Sequence, residues 1–115
     1  MAYCHCSDCR RWTGGPVAAF AAFDEAAVVP NLPDRLLQLG GVRRWTCETC
    51  GSPLAAAFDY LAGQVYVPLG IIDQADALAP VLHSHANSAL PWLHIEDDLP
   101  RSPGTARTRL RGPAT

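Results

Sequence analysis

Five cysteines fall in two groups, Cys4, Cys6 and Cys9 in "CHCSDC" and Cys47 with Cys50 in "CETCG", and their spacing constrains the chain more than any other feature. An odd number of thiols, none beyond residue 50, does not make a disulfide framework; in a reducing compartment such clusters read as metal ligands. Cys47-x-x-Cys50 followed by Gly51 has the form of a zinc knuckle, in which a tight turn aims two thiolates at one ion and glycine tolerates the backbone. A redox pair would need a thioredoxin-like βαβ setting, whereas the flanking runs "VRRWT" and "PLAAAF" read as the two strands of a hairpin. Cys4, Cys6 and Cys9, spaced by two and three, let one turn offer three thiolates to one ion. Three protein ligands leave a fourth position open, as in catalytic zinc, while four close a structural site. Zinc held by three thiolates is net negative and accepts soft sulfur, such as a substrate thiol, in the open place. The same residues also permit one closed ribbon of Cys6, Cys9, Cys47 and Cys50 with Cys4 as bystander, and spacing alone does not separate the two arrangements.

The remaining chain is built to match a small β domain. At 115 residues it is one domain. Short apolar or alternating runs at 16–23, 35–39, 42–46, 53–58, 64–70 and 80–85 recur about every ten residues between glycine, proline and acid clusters, the rhythm of a mainly β fold. Segment 18–28 reads as a strand running into a loop, and "DQADALAP" (73–80) has room for one helical turn capped by Asp73. Residues 101–115 lack the apolar side chains needed to order them and read as a disordered basic tail. Lysine is absent, all eleven acids lie before that tail, and four of the nine arginines lie in it. The folded part is therefore acidic, which argues against nucleic acid as a partner. No apolar run approaches the ~20 residues of a membrane span and no secretion signal opens the chain, so a cytoplasmic setting is expected.

Around the cysteines, Arg10 and Arg11 can offset a negative metal site or clamp a substrate carboxylate, or lie on the surface. His5 alternates with Cys4 and Cys6 and so points away from them in an extended stretch. His83 and His85 alternate in a strand and share one face, as acid–base groups or as core. Trp12, Trp45 and Trp92 read as core or pocket wall, and Gly14 and Gly15 before Pro16 as a turn. The acidic run Glu96, Asp97 and Asp98 reads as a solvated stretch.

Four segments in order, "CHCSDCRRWTGGP" (4–16), "CETCGSPL" (47–54), "VPLGIID" (67–73) and "LHSHANSALPWLHIEDDLP" (82–100), resemble the glutathione-dependent formaldehyde-activating enzyme family, which shares its domain with centromere protein V. The resemblance spans nearly all of residues 4–100. It implies an Mss4-like zinc-binding β fold over residues 1–100 with one or two zinc ions, Cys4, Cys6 and Cys9 at an exchangeable catalytic zinc and Cys47 with Cys50 as half of a structural one. It further implies a carbon–sulfur lyase that makes or breaks S-hydroxymethylglutathione or a related thiol adduct. Members carry an upstream strand with a Cys-x-Cys pair, whereas Met1 stands three residues before Cys4 here, so a shortened domain is expected. Loss of upstream strands would leave a sheet edge with which a second copy could pair as a homodimer. The contrasting expectation is a non-catalytic interaction module built on the closed four-cysteine site.

Overall fold

The computed structural model describes residues 1–33 and 35–105. Its centre is one seven-stranded sheet. In chain order the elements are β1 (Ala2–Cys4), α1 (Ser7–Thr13), β2 (Ala18–Asp24), α2 (Glu25–Val28), β3 (Leu36–Leu39), β4 (Val42–Thr46), β5 (Pro53–Phe58), β6 (Gln64–Pro68) and β7 (His83–Ser84), with short 3-10 turns between several of them. Across the sheet the strands run β3-β4-β5-β6-β2-β1-β7. Every neighbouring pair is antiparallel except β1 and β7, which are parallel. The fold is mainly β, as the rhythm of apolar runs predicts.

Alternation along the strands gives the sheet two apolar faces. On one, Ala18, Phe20, Tyr66 and Leu61 pack with Cys4 and Cys9, and Trp12 of α1 lies against Phe20 with ring centroids 6.2 Å apart. On the other, Trp45, Ala55, Ala57 and Val65 pack together beneath Val28, Val29 and Leu32. The alanines of β5 are fully buried, and their small side chains let the sheet lie close beneath these covers. Between β3 and β4 the chain reverses through Gly40 and Gly41, both at positive φ; a Cβ on Gly41 would come within 3.0 Å of the Asp59 carboxylate.

Several segments depart from the sequence reading. The stretch after β2 is not a loop: Glu25–Val28 is helical and runs into a 3-10 turn at Val29–Asn31, because its alanines favour helix and Val28, Val29 and Leu32 gain burial over Trp45. In the segment read as a turn capped by Asp73, Ala75–Ala77 form a 3-10 turn that Gln74 precedes. The run at 80–85 shrinks to two residues in β7, since His85 takes a left-handed conformation at φ +52 and ends the strand. Backbone at the start of the expected tail is held: Ser102 N–H donates to the His83 carbonyl and His85 N–H to the Gly104 carbonyl. The rest of that tail, residues 106–115, lies outside the described residues. Trp92 is 65% exposed rather than core. At the far edge, β3 exposes Leu36, Leu37 and Leu39.

Trp45 is the largest residue of the second core, and it is 4% exposed. Replacing it with alanine is expected to cost about 3–5 kcal/mol, a large share of the roughly 5–15 kcal/mol typical of such a domain. Urea unfolding followed by circular dichroism measures that loss.

Candidate metal centre

β1 is short but doubly paired. Cys4, its last residue, lies opposite Ala18 of β2 and Ser84 of β7. Tyr3 N–H donates to the Leu82 carbonyl and His5 N–H to the Ser84 carbonyl, so β7 grips the chain on both sides of Cys4. After His5 the chain turns directly into α1. Cys6 is the N-cap of that helix, its Sγ accepting the Cys9 N–H at 3.3 Å, and Gly14 ends the helix at φ +78 with its N–H on the Arg10 carbonyl. A cysteine at N-cap and another at N3 bring two sulfurs to one helix end, and β1 brings the third.

The three sulfurs therefore meet. Cys4 Sγ lies 3.5 Å from Cys6 Sγ and 3.3 Å from Cys9 Sγ, and all three fall within 4.8 Å of one another. Tetrahedral zinc with Zn–S near 2.3 Å sets its sulfurs about 3.8 Å apart, a spacing bracketed by these distances. Such a donor set fits a soft or borderline cation. Hydrogen bonds from the Cys4 and Cys9 thiols, and the Cys9 N–H, hold Cys6 well below the ordinary thiol range. The converse contacts push Cys4 and Cys9 up, the Cys6 contact leading for Cys4 and the Cys4 contact for Cys9, with burial adding to both. A cation must then displace protons from Cys4 and Cys9.

The cluster forms the floor of a cavity of about 220 Å³. Phe20, Phe58, Leu61 and Tyr66 wall it, Val42 and Ala22 stand on the strands beside it, and Asp8, Tyr60, Ser84 and His85 supply its polar side chains together with Thr105. Desolvation, then the neighbouring thiols, push the Tyr60 phenol up, which keeps its proton in place. His85 was read on the same face as His83, but the left-handed turn at His85 sends the two imidazoles to different cavities.

Behind the cysteines lies a second network. His5 points away from the sulfurs, as alternation predicts; its Nε2 is 2.8 Å from His83 Nδ1, and His83 Nε2 is 2.9 Å from Asp97 Oδ2. Arg101 and the Leu99 N–H both donate to Asp97 Oδ1. The carboxylate fixes the tautomers: His83 donates through Nε2, accepts at Nδ1, and so takes the Nε2–H of His5. Both imidazoles are buried, and burial followed by His83 pushes His5 down, toward the neutral form this chain requires. The sequence reading of Asp97 as solvated surface missed this role, for which spacing carries no signal.

Other candidates stand elsewhere. Arg10 does not line the thiol cavity; with Arg11, Gly14 and Trp92 it lines another cavity along α1. Cys47 and Cys50 sit in the β4–β5 turn, where Cys47 N–H donates to the Ser52 carbonyl and Gly51 turns at φ +76. Cys50 Sγ is 3.1 Å from Ser52 Oγ, and that hydroxyl holds the exposed thiol below its usual range. Among the described residues, Cys4, Cys6 and Cys9 are the sole group of three or more placed to hold an ion, and Cys47 and Cys50 are not part of it. No helix among them is long and apolar enough to cross a membrane.

Three thiols that could hold a metal ion form the floor of a mainly apolar cavity. The family model for glutathione-dependent formaldehyde-activating enzyme matches residues 1–88, and the chain belongs to that family. No curated protein matches it. The matched segment contains β1, α1 and His83, while Asp97 and Arg101 lie beyond it.

Two outcomes follow. Displacing two protons makes ion affinity fall by roughly 100-fold per pH unit on acidification, measurable by chelator competition at several pH values. Asp97, held down to about 2 chiefly by the His83 hydrogen bond, contributes stability that is present above 3.8 and lost as pH falls toward about 2. Asp97→Asn is expected to flatten the acid-unfolding curve in that window.

Proposed function

We propose that the protein is a zinc-dependent carbon–sulfur lyase that makes and breaks hydroxymethyl adducts of a small thiol, S-hydroxymethylglutathione or a related adduct. The observation that carries this reading is the convergence of Cys4, Cys6 and Cys9 on the floor of a mainly apolar cavity, with protein ligands for three positions and room above for a fourth. When bound, zinc supplies a soft electron-pair acceptor that keeps a thiol ionised near neutral pH.

The chain's own groups do the rest. Cys4, Cys6 and Cys9 hold the ion, and the apolar walls leave water few partners beside its open place. In the forming direction a thiolate lone pair adds to the formaldehyde carbon, the C=O electron pair moves to oxygen, and that oxygen takes a proton. His85, the imidazole on the cavity wall, is placed to give that proton and to take it back when the C–S bond breaks and its pair returns to sulfur. No electrons are exchanged with a second reagent. The chain from Asp97 through the buried His83 and His5 holds the Cys4–Cys6 turn from behind. Cys47 and Cys50 are read as two ligands of a separate structural ion, and reduced thiols at both places suit a cytoplasmic setting.

The test is formaldehyde–thiol exchange followed by NMR magnetisation transfer, with zinc-loaded protein and glutathione. Acceleration is expected for the native chain. Cys4→Ser is expected to lose more than the roughly 10–100-fold that removal of a ligand-supporting group costs, with its circular dichroism unchanged.

A further inference from the structure

Among the described residues, His85 is the one residue other than glycine with a positive φ, at +52. Away from glycine this conformation is uncommon, and it persists where the surroundings fix it. Its effect here is directional. Had β7 continued as extended strand, His85 would share a face with His83 and turn toward the buried histidine network. Instead its imidazole lines the thiol cavity, while His83 lines the cavity behind.

The chain from Pro100 to Thr105 is what fixes it. His83 N–H donates to the Pro100 carbonyl at 2.9 Å and Ser102 N–H to the His83 carbonyl at 2.8 Å, which lays this segment parallel to β7. It then brackets the turn itself. His85 N–H donates to the Gly104 carbonyl at 2.8 Å, Ala86 N–H to the Ser102 carbonyl at 2.9 Å and Asn87 N–H to the Pro103 carbonyl at 3.2 Å. Near its start the segment is anchored by Arg101, whose guanidinium donates to the Asp97 carboxylate and to the Leu99 and Ile95 carbonyls. At its other end Thr105 pairs with the Tyr60 phenol and lines the same cavity as His85. The segment thus runs from the Asp97–His83 network to the wall of the thiol cavity and fastens the His85 turn on the way.

We propose that residues 100–105 are a positioning strap, whose backbone holds His85 in the left-handed conformation that directs its imidazole into the cavity floored by Cys4, Cys6 and Cys9. This rests on the thiol-adduct reading above and names what places its proton-handling group. Bond making and breaking are as already described. Ser102 and Gly104 act through the backbone of His83 and His85 and are positioning residues. A proton donor displaced by about 1 Å costs on the order of 100-fold in rate, so the strap sets the rate without holding the thiol.

Ser102→Pro tests this, because proline lacks the N–H that ties the strap to the His83 carbonyl. In cobalt-loaded protein the paramagnetic ion displaces NMR signals of ring protons close to it. A large displacement is expected for the His85 ring in the native chain and a much smaller one in Ser102→Pro, while Ser102→Ala, which keeps the N–H, keeps the native signal. Formaldehyde–glutathione exchange by Ser102→Pro is expected to lose roughly 10–100-fold in kcat, with KM for glutathione within about twofold and cobalt content unchanged. A His85 ring that cobalt does not displace in the native chain overturns the proposal, as does a ring unmoved in folded Ser102→Pro, or one that moves while kcat does not. If Ser102→Pro does not fold, Ala86→Pro takes its place. Proline is tolerated at the start of a helical turn, lacks the N–H that the Ser102 carbonyl accepts, and draws His85 toward extended backbone. The same results are expected of it, and the same results overturn the proposal. Where the native chain accelerates no exchange, the thiol-adduct reading falls, and the ring signals still decide whether the strap places His85.

Discussion

β1 is three residues long and would not hold a position alone, yet it is clamped between β2 and β7, and the whole site hangs from that clamp. Cys4 is the last residue in register, so where the pairing ends is where the first sulfur is delivered. From there the chain has only His5 before Cys6 caps α1. Sheet pairing fixes one sulfur and helix capping fixes two, and the short connection forces these two kinds of local order to agree. A slip of one residue in β1 would exchange Cys4 for His5 on the cavity side and dismantle both networks at once.

That alternation is also why the metal centre and the histidine chain can coexist. Sulfurs lie on one side of the turn, imidazoles on the other, and neither set has to share its hydrogen bonds with its neighbour. Burial then sharpens both. On the sulfur side it disfavours more than one thiolate until a cation arrives. On the histidine side it favours the neutral form of His5, and the Asp97 carboxylate at the rim pairs with His83 Nε2.

Much of this was legible in the chain itself. The cysteine spacing allowed a cluster of Cys4, Cys6 and Cys9 without separating it from a closed ribbon with Cys47 and Cys50, alternation turned His5 away, and the apolar runs gave most of the strands, because period-two patterning and short-range spacing are local properties. What stayed hidden is long-range or marginal. "AYC" is too short to announce a strand, and its partners Leu82–Ser84 are remote in sequence. Trp92 has the composition of a core residue and the position of a surface one. Asp97 looked like part of a solvated run because nothing nearby in sequence reveals that a buried imidazole will reach it. His85 was misplaced for a backbone reason: a positive φ in a non-glycine residue has no marker in the apolar pattern.

The clamp also has a temporal side. Cys4, Cys6 and Cys9 leave the ribosome ahead of their partners, since the His83 that meets His5 comes 78 positions later. At about 5–20 residues per second, roughly 4–16 s pass before the strand that seats the first sulfur exists. Throughout that interval the three thiols are neither buried nor gathered by the finished sheet. The nascent chain thus depends on the redox state and metal supply around it well before the folded domain can protect its own ligands.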